Sequence, residues 1–126
     1  MPFRIYPTVS EVIETHRLLI QEFGGLDGVR DRGLLESAVF RPRSGYYADI
    51  IEEAAALLES LTNTQAFVDR NKRVAFAMTD AMLRANGYFL DVDGQEAYQL
   101  MMEATMRKEF RFSWIRDWIA SIVKLA

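Results

Sequence analysis

The chain has 126 residues, 50% of them hydrophobic, with a formal net charge of −3. This length predicts one domain over residues 1–126, and the composition excludes a disordered chain. The absence of cysteine excludes disulfides and thiolate metal sites, and the acidic balance argues against direct binding of nucleic acid. No apolar run is long enough to span a membrane and the N-terminus lacks a signal-peptide core, so we expect a cytoplasmic protein.

Capping residues and periodic apolar residues predict six helices. They are expected to begin after Thr8, Asp31 and Asp49, near Asn71, and after Asp93 and Ser113. Glu11 and Glu52 each lie three residues after a capping residue, a spacing that predicts two capping boxes. Glycines at 24, 25 and 87 predict the ends of the first and fourth helices. The predicted fold is all-α, a single-domain bundle of about six helices around a central apolar helix.

Residues 71–86 are apolar almost all round, which predicts that this helix is surrounded by others. Asp80 and Arg84 are four residues apart on its narrow polar edge and are expected to pair. The third helix should bury an apolar face and turn its glutamates, including Glu53, to the opposite side. His16, the only histidine, has polar neighbours, so we expect it at the surface or half-buried.

Residues 65–73, here called the signature segment, connect a polar loop to the start of the central helix. Asp69 is an oxygen ligand of the type that Mg²⁺ takes. Lys72 and Arg73 can bind phosphate oxygens beside the free N–H groups of a helix N-terminus. We expect Phe67 to anchor the loop in the core and Asn71 to cap the helix or tie the loop.

The loop at residues 40–47 mixes cations with aromatic side chains. Pro42 ends the preceding helix, and the simplest interpretation is a solvated connector whose tyrosines fold onto the core. The alternative is a flap that touches a partner or substrate. The residues of that possible flap are Arg43, Ser44, Gly45, Tyr46 and Tyr47.

The order of residues in the signature segment resembles the Fic/Doc superfamily signature, and specifically its Doc (death-on-curing) branch. The pattern there is His-x-Phe-x-Asp/Asn-x-Asn-Lys-Arg. Five of its six defined positions are matched, by Phe67, Asp69, Asn71, Lys72 and Arg73. Lysine at 72 is the Doc-like choice, because the Fic branch has glycine there. Similarity to Doc proteins also covers most of residues 10–120, including residues 24–26, 29–38, 54–61 and 83–88.

This resemblance implies a small helical toxin of a bacterial toxin–antitoxin pair. Doc-type toxins use ATP and Mg²⁺ to phosphorylate a threonine on translation elongation factor Tu, whereas the wider Fic family transfers AMP to hydroxyl groups. It implies Asp69 as the metal ligand, Asn71, Lys72 and Arg73 as nucleotide-phosphate ligands, and a catalytic role for Arg73.

The resemblance also implies restraint of the toxin by an antitoxin, which lays a helical segment in a groove near the site. The internal inhibitory motif of some Fic proteins, Ser/Thr-x-x-x-Glu-Gly/Asn, is not matched. Thr15 follows the pair Ser10 and Glu14, and Phe110 follows the pair Thr105 and Glu109. Restraint by a separate antitoxin is therefore the better hypothesis.

Gln65 occupies the position of the family histidine, the general base that takes the proton from the target hydroxyl. Glutamine forms hydrogen bonds but does not accept a proton at neutral pH. The chain is thus expected to be an impaired transferase. The alternative is a catalytically dead binding module that pairs with an antitoxin and modulates operon regulation. The glutamine is either a natural divergence, which the differences at 66 and 70 favour, or a change from histidine that permits expression.

Overall fold

The structure, a computed structural model, describes residues 3–126; Met1 and Pro2 lie outside the described part. The described residues form α1 (Val9–Phe23), α2 (Arg32–Phe40), α3 (Ile50–Asn63), α4 (Asn71–Ala85), α5 (Gly94–Met106) and α6 (Phe112–Ile122), with a 3₁₀ turn at Arg41–Arg43. Strands β1 (Tyr88–Leu90) and β2 (Val123–Leu125) form a small antiparallel sheet. The predicted all-α bundle of six helices is confirmed. Within residues 3–126, no helix has both the length and the apolar character to cross a membrane.

Local capping explains where most helices begin. Thr8 and Glu11 form the predicted capping box at α1, with bonds of 3.1 and 2.8 Å. Asp49 caps α3, but the second capping box is wrong, because the Glu52 carboxylate accepts from the N–H of Ala48 at 3.0 Å.

Side-chain caps are also present at α2 and α5, where Asp31 and Asp93 accept from backbone N–H groups. The predicted cap at Ser113 is wrong. Helix α6 already begins at Phe112 after an extended Arg111, so Ser113 lies within its first turn.

The centre of the bundle is shared by α3 and α4. Residues 54–58 of α3 are fully buried, between α4, α6 and α2. Helix α4 packs on α3, α1 and α5. Contrary to expectation it is not surrounded, because Ala81 and Ala85 are exposed along one face. The predicted pair of Arg84 and Asp80 is present at 2.8 Å.

The N-terminal arm explains why one predicted surface glutamate is buried. Glu53 is 8% exposed and accepts hydrogen bonds from Arg4 Nε at 3.0 Å and the Tyr6 hydroxyl at 2.8 Å. Burial and the bond to this carboxylate raise the pKa of Tyr6. The arm thus supplies the charge and hydrogen-bonding partners that the carboxylate needs inside the fold.

Both terminal segments meet at the C-terminal end of α4. The side-chain amide of Asn86 exchanges hydrogen bonds with the backbone of Ile5, at 2.9 and 2.8 Å. The sheet places Tyr88 opposite Leu125, and Gly87 accepts from the N–H of Ala126. Strand β2 was not predicted from the sequence.

Candidate active site

The signature segment is held in place by the turn that precedes α2. Both Arg30 and Asp31 donate their backbone N–H groups to the Ala66 carbonyl, at 2.7 and 3.0 Å. The Arg30 side chain donates to the Gln65 carbonyl at 2.7 Å and to the Thr64 carbonyl at 3.1 Å. Sequence reasoning missed Arg30, because no local pattern connects it with a loop 35 residues away.

Beneath the segment, Phe67 is buried and stacks on the ring of His16, with centroids 3.9 Å apart and planes 10° apart. The expectation of a surface or half-buried histidine is wrong, since His16 is only 1% exposed. Its Nε2 lies 2.7 Å from the Asp69 carbonyl. A carbonyl only accepts, so Nε2 is the donor. Spacing of i, i+4 from the buried Val12 was the signal that could have identified this inward face.

Asp69 lies where its carboxylate is held in the ionised form. One oxygen accepts from the Leu26 N–H at 3.1 Å and the other from the Arg70 N–H at 2.9 Å. These two hydrogen bonds lower the pKa of Asp69, with a further contribution from the Arg70 charge. Gly25 permits the approach, because a Cβ there would lie 2.8 Å from the carboxylate.

Two neighbouring side chains stabilise the loop itself. The Asn71 amide accepts from the Phe67 N–H at 3.0 Å and donates to the Phe67 carbonyl at 3.1 Å. It therefore ties the loop rather than capping α4. Arg70 has a left-handed backbone, and its guanidinium donates to the Gly24 carbonyl at the end of α1. The Arg70 charge is therefore directed to the end of α1.

The start of α4 offers donors that the protein does not use. No side chain caps α4, and the N–H groups of residues 71–73 have no partner within the helix. In the described part of the chain, Lys72 has no acidic partner within 4.0 Å. These groups border a polar cleft of about 190 Å³, lined by Thr62, Gln65, Asp69, Arg70, Asn71, Lys72 and Tyr98.

Arg73 turns away from the polar cleft into an adjoining one. Its guanidinium lies between the rings of Phe23 and Tyr98, 4.6 and 4.5 Å from their centroids. The Nε of Arg73 is buried and has no partner. This second cleft, of about 350 Å³, is lined mainly by α1, α4 and α5. Tyr98, which sequence reasoning missed, borders both clefts.

Gln65 lies at the exposed rim of the polar cleft, in a left-handed backbone conformation with φ of 50°. Its carbonyl is fixed by Arg30, whereas no hydrogen bond within residues 3–126 holds its side-chain amide. Histidine is among the residues that tolerate left-handed conformations, so this backbone would accept the family residue.

The side chains of this site suit a metal ion only when a bound ligand supplies further oxygen atoms. The described residues contain no group of three or more His, Asp or Glu side chains that could hold a metal. Asp69 is a single carboxylate with one lone pair used on each oxygen. Such a site fits Mg²⁺, which is commonly bound by one or two carboxylates together with substrate phosphates.

The possible flap is held mainly by other parts of the fold. Arg43 lies 4.9 Å from the Tyr6 ring centroid, and Tyr47 packs on Phe112 with centroids 5.5 Å apart. Tyr46 is exposed, and Ser44 follows the 3₁₀ turn. Across the described residues, no hydrogen bond joins residues 43–47 to the signature segment. A role as a flap stays a prediction.

Comparison with known proteins follows from this geometry. The model of the Fic/DOC family matches residues 6–83, which include α1 to α3, most of α4 and the whole signature segment. The chain belongs to the Fic/DOC family. It is 44% identical over 92 residues to Toxin Doc of Mycolicibacterium smegmatis, a match covering 68% of this chain and 71% of that protein. It is 35% identical over 82 residues to Protein kinase doc of Escherichia phage P1, covering 62% and 65%. These relatives confirm the Doc branch of the family.

Proposed function

We propose that this Doc-branch chain is a toxin that transfers a phosphoryl group from ATP to a protein hydroxyl, at a rate lowered by Gln65. The carrying observation is that the Asp69 carboxylate, Lys72 and the start of α4 with its free N–H groups border one cleft. The names of the two relatives, a toxin and a protein kinase, support the same reading.

The polar cleft supplies positioning and charge for such a reaction. Lys72 and the first-turn N–H groups of α4 would hold phosphate oxygens, and Asp69 would hold Mg²⁺. When bound, Mg²⁺ neutralises charge on the phosphates. The Arg73 guanidinium packs on the rings of Phe23 and Tyr98, which hold it towards the adjoining cleft. The volume of the polar cleft is below the roughly 300–1,000 Å³ of a typical ligand pocket. We therefore propose that it holds only the phosphates of ATP, and that the rest of the nucleotide lies outside it.

The chain lacks the histidine that would accept the proton of the target hydroxyl. In the proposed transfer, the target oxygen bonds to the γ-phosphorus, the bond from phosphorus to the leaving ADP breaks, and the hydroxyl loses its proton to water. Gln65 cannot take that proton, and the lowered pKa of Asp69 makes its carboxylate a weak base. Loss of a general base lowers a rate by roughly 10² to 10⁴.

Purified protein, labelled ATP and a translation factor such as elongation factor Tu provide the test. We expect Gln65→His to raise transfer by about 10² to 10⁴ and to make induction toxic in growing cells. Adding Asp69→Ala to that variant should abolish transfer. Equal rates for the unaltered chain and Gln65→His would refute the assigned role of Gln65. Labelling from the α-phosphate instead would identify AMP transfer.

A second candidate function follows from the same residue. With Gln65 in the base position, the chain is alternatively a binding module that pairs with an antitoxin and modulates operon regulation. An inert Gln65→His variant that still binds the product of an adjacent small gene would favour this function over catalysis.

An antitoxin partner needs apolar surface on the toxin. Leu18 and Phe23 of α1 are about half exposed, and Phe23 also borders the second cleft. We propose that a helical segment of the antitoxin packs beside these residues of α1. Leu18→Asp should weaken that complex, whereas Leu125→Asp, at the distant strand β2, should leave it intact.

A further inference from the structure

Two buried side-chain polar atoms in residues 3–126 lack a hydrogen-bond partner, one within the signature segment and the other close to it in sequence. One is Arg73 Nε, which is described above. The other is Oγ1 of Thr62, in the last turns of α3, whose side chain is 3% exposed. A buried hydroxyl without a partner destabilises a fold, so Thr62 requires an explanation.

Other threonines near or within helices show that a partner is readily found. Thr64, Thr79 and Thr105 each donate their hydroxyl to the carbonyl four residues earlier, at 2.7 to 2.8 Å. The same arrangement would pair Thr62 with the Leu58 carbonyl, yet that bond is not formed. Thr79, the other buried threonine of the described residues, forms this bond, so Thr62 differs from its nearest equivalent in the chain.

The position of Thr62 supplies a reason. It lines the polar cleft together with Asp69, Lys72 and Tyr98. Across the cleft stand the free N–H groups of α4 and the Lys72 ammonium, which favour an anion. A threonine in a helix has two accessible χ1 rotamers, so its hydroxyl can turn towards a ligand in this cleft.

We propose that Thr62 is an anion-binding residue of the polar cleft, its hydroxyl donating to a phosphate oxygen held by Lys72 and the start of α4. This inference rests on the proposed function, because it names a further contact of the same nucleotide. The hydroxyl is unpaired in the free protein and gains its partner when the phosphate binds.

Thr62→Val is the decisive variant, since it keeps the branched shape and removes the hydroxyl. We expect the thermal midpoint of the free protein to stay the same or rise, because an unpaired buried polar group is lost. The affinity for Mg-ATP, measured by calorimetry, should fall by about 10- to 100-fold, the change expected on losing a hydrogen bond to a charged group. Thr62→Ser should retain the affinity.

Thr79→Val is the matched control, because Thr79 is also buried but already donates to the Ala75 carbonyl. It should leave the affinity for Mg-ATP unchanged. If Thr62→Val binds as tightly as the unaltered chain, or loses thermal stability as well as affinity, Thr62 is a structural residue and the inference is overturned.

The proposed function can fail independently of the role inferred for Thr62. If the unaltered chain does not bind Mg-ATP, that function fails, and the same variants are compared with pyrophosphate as the probe. Weaker pyrophosphate binding by Thr62→Val would still support an anion contact, whereas no binding by any variant would overturn it.

Discussion

His16 donates from Nε2 to the backbone carbonyl of Asp69 across 2.7 Å, while its ring stacks on Phe67. Helix α1 thereby holds two residues of the signature segment from beneath. The backbone of Asp69 is fixed by His16, and its carboxylate by the N–H groups of Leu26 and Arg70. The orientation of the carboxylate thus depends on α1 and on the turn after it.

His16→Phe should separate the hydrogen bond from the ring stack. Phenylalanine can still pack on Phe67 but leaves the Asp69 carbonyl without a donor, so the free energy of unfolding should fall by about 1–3 kcal/mol. Urea denaturation measures the change. His16→Gln, which keeps a donor, is the control and should lose less unfolding free energy from the hydrogen bond to Asp69. An unchanged urea midpoint in His16→Phe would contradict the structural role of the bond.

The pKa of Asp69 predicts a pH-dependent contribution to stability. Its folded pKa is lowered by backbone hydrogen bonds from the ordinary value of 3.8. The unfolded chain therefore binds this proton more readily, so the contribution is complete above about pH 4 and is lost as pH falls towards the folded pKa.

Asp69→Asn removes the titrating group and provides the comparison. The unaltered chain should be the more stable at pH 7, and the difference in unfolding free energy should shrink below about pH 4. Denaturation curves recorded at several pH values measure it. A difference that stays constant down to pH 3 would show that Asp69 is not perturbed.

Gly25 and Gly24 form a matched pair for the close approach to Asp69. Both have positive φ, but only at Gly25 would a Cβ meet other atoms, with the Asp69 carboxylate at 2.8 Å and Arg70 Nε at 3.0 Å. Gly24→Ala should lower the unfolding free energy by about 1 kcal/mol through its backbone alone. Gly25→Ala adds steric overlap and should lower it by about 2–4 kcal/mol. Equal losses in thermal or urea unfolding would argue against this contact.

Arg30 should set the mobility of the loop around Gln65. Arg30→Met keeps much of the side-chain stem but removes both donors to the Thr64 and Gln65 carbonyls. The free energy of unfolding should therefore fall by about 1 kcal/mol. Hydrogen exchange of the Phe67 and Val68 amides should become faster. Arg30→Lys keeps the charge but lacks the planar guanidinium, so its exchange rate should lie between those of the unaltered chain and Arg30→Met. Unchanged exchange in Arg30→Met would mean that the backbone bonds alone hold the loop.

The fold was predictable where the signals are local. Capping residues such as Thr8 and Asp31 determine where a helix begins through bonds within four residues, and the apolar spacing identified which faces pack. The errors arose from distant partners. Glu53 was assigned to the surface because nothing near it in sequence reveals Arg4 and Tyr6, and β2 depends on pairing with a strand 35 residues earlier.

In the candidate site, too, local sequence signals were predictive and partners distant in sequence were missed. The order of residues in the signature segment indicated the family, and the structure brings Asp69, Lys72 and Gln65 around one cleft. His16, Arg30 and Tyr98 were not foreseen in this role, because each comes from an element distant in sequence. Arg73 was predicted beside the phosphates, yet ring stacking draws its guanidinium towards the second cleft.

The two terminal segments meet at one end of α4, while the polar cleft lies at the other. A helix of 15 residues spans about 22 Å. A biotin or fluorescent label attached at Ala126, whose N–H donates to Gly87 just after α4, would therefore lie at the far end of this helix from the cleft. Molecules immobilised on a sensor chip in this way would all present the cleft to the flowing solution, which suits the chain to direct measurement of ligand and partner binding.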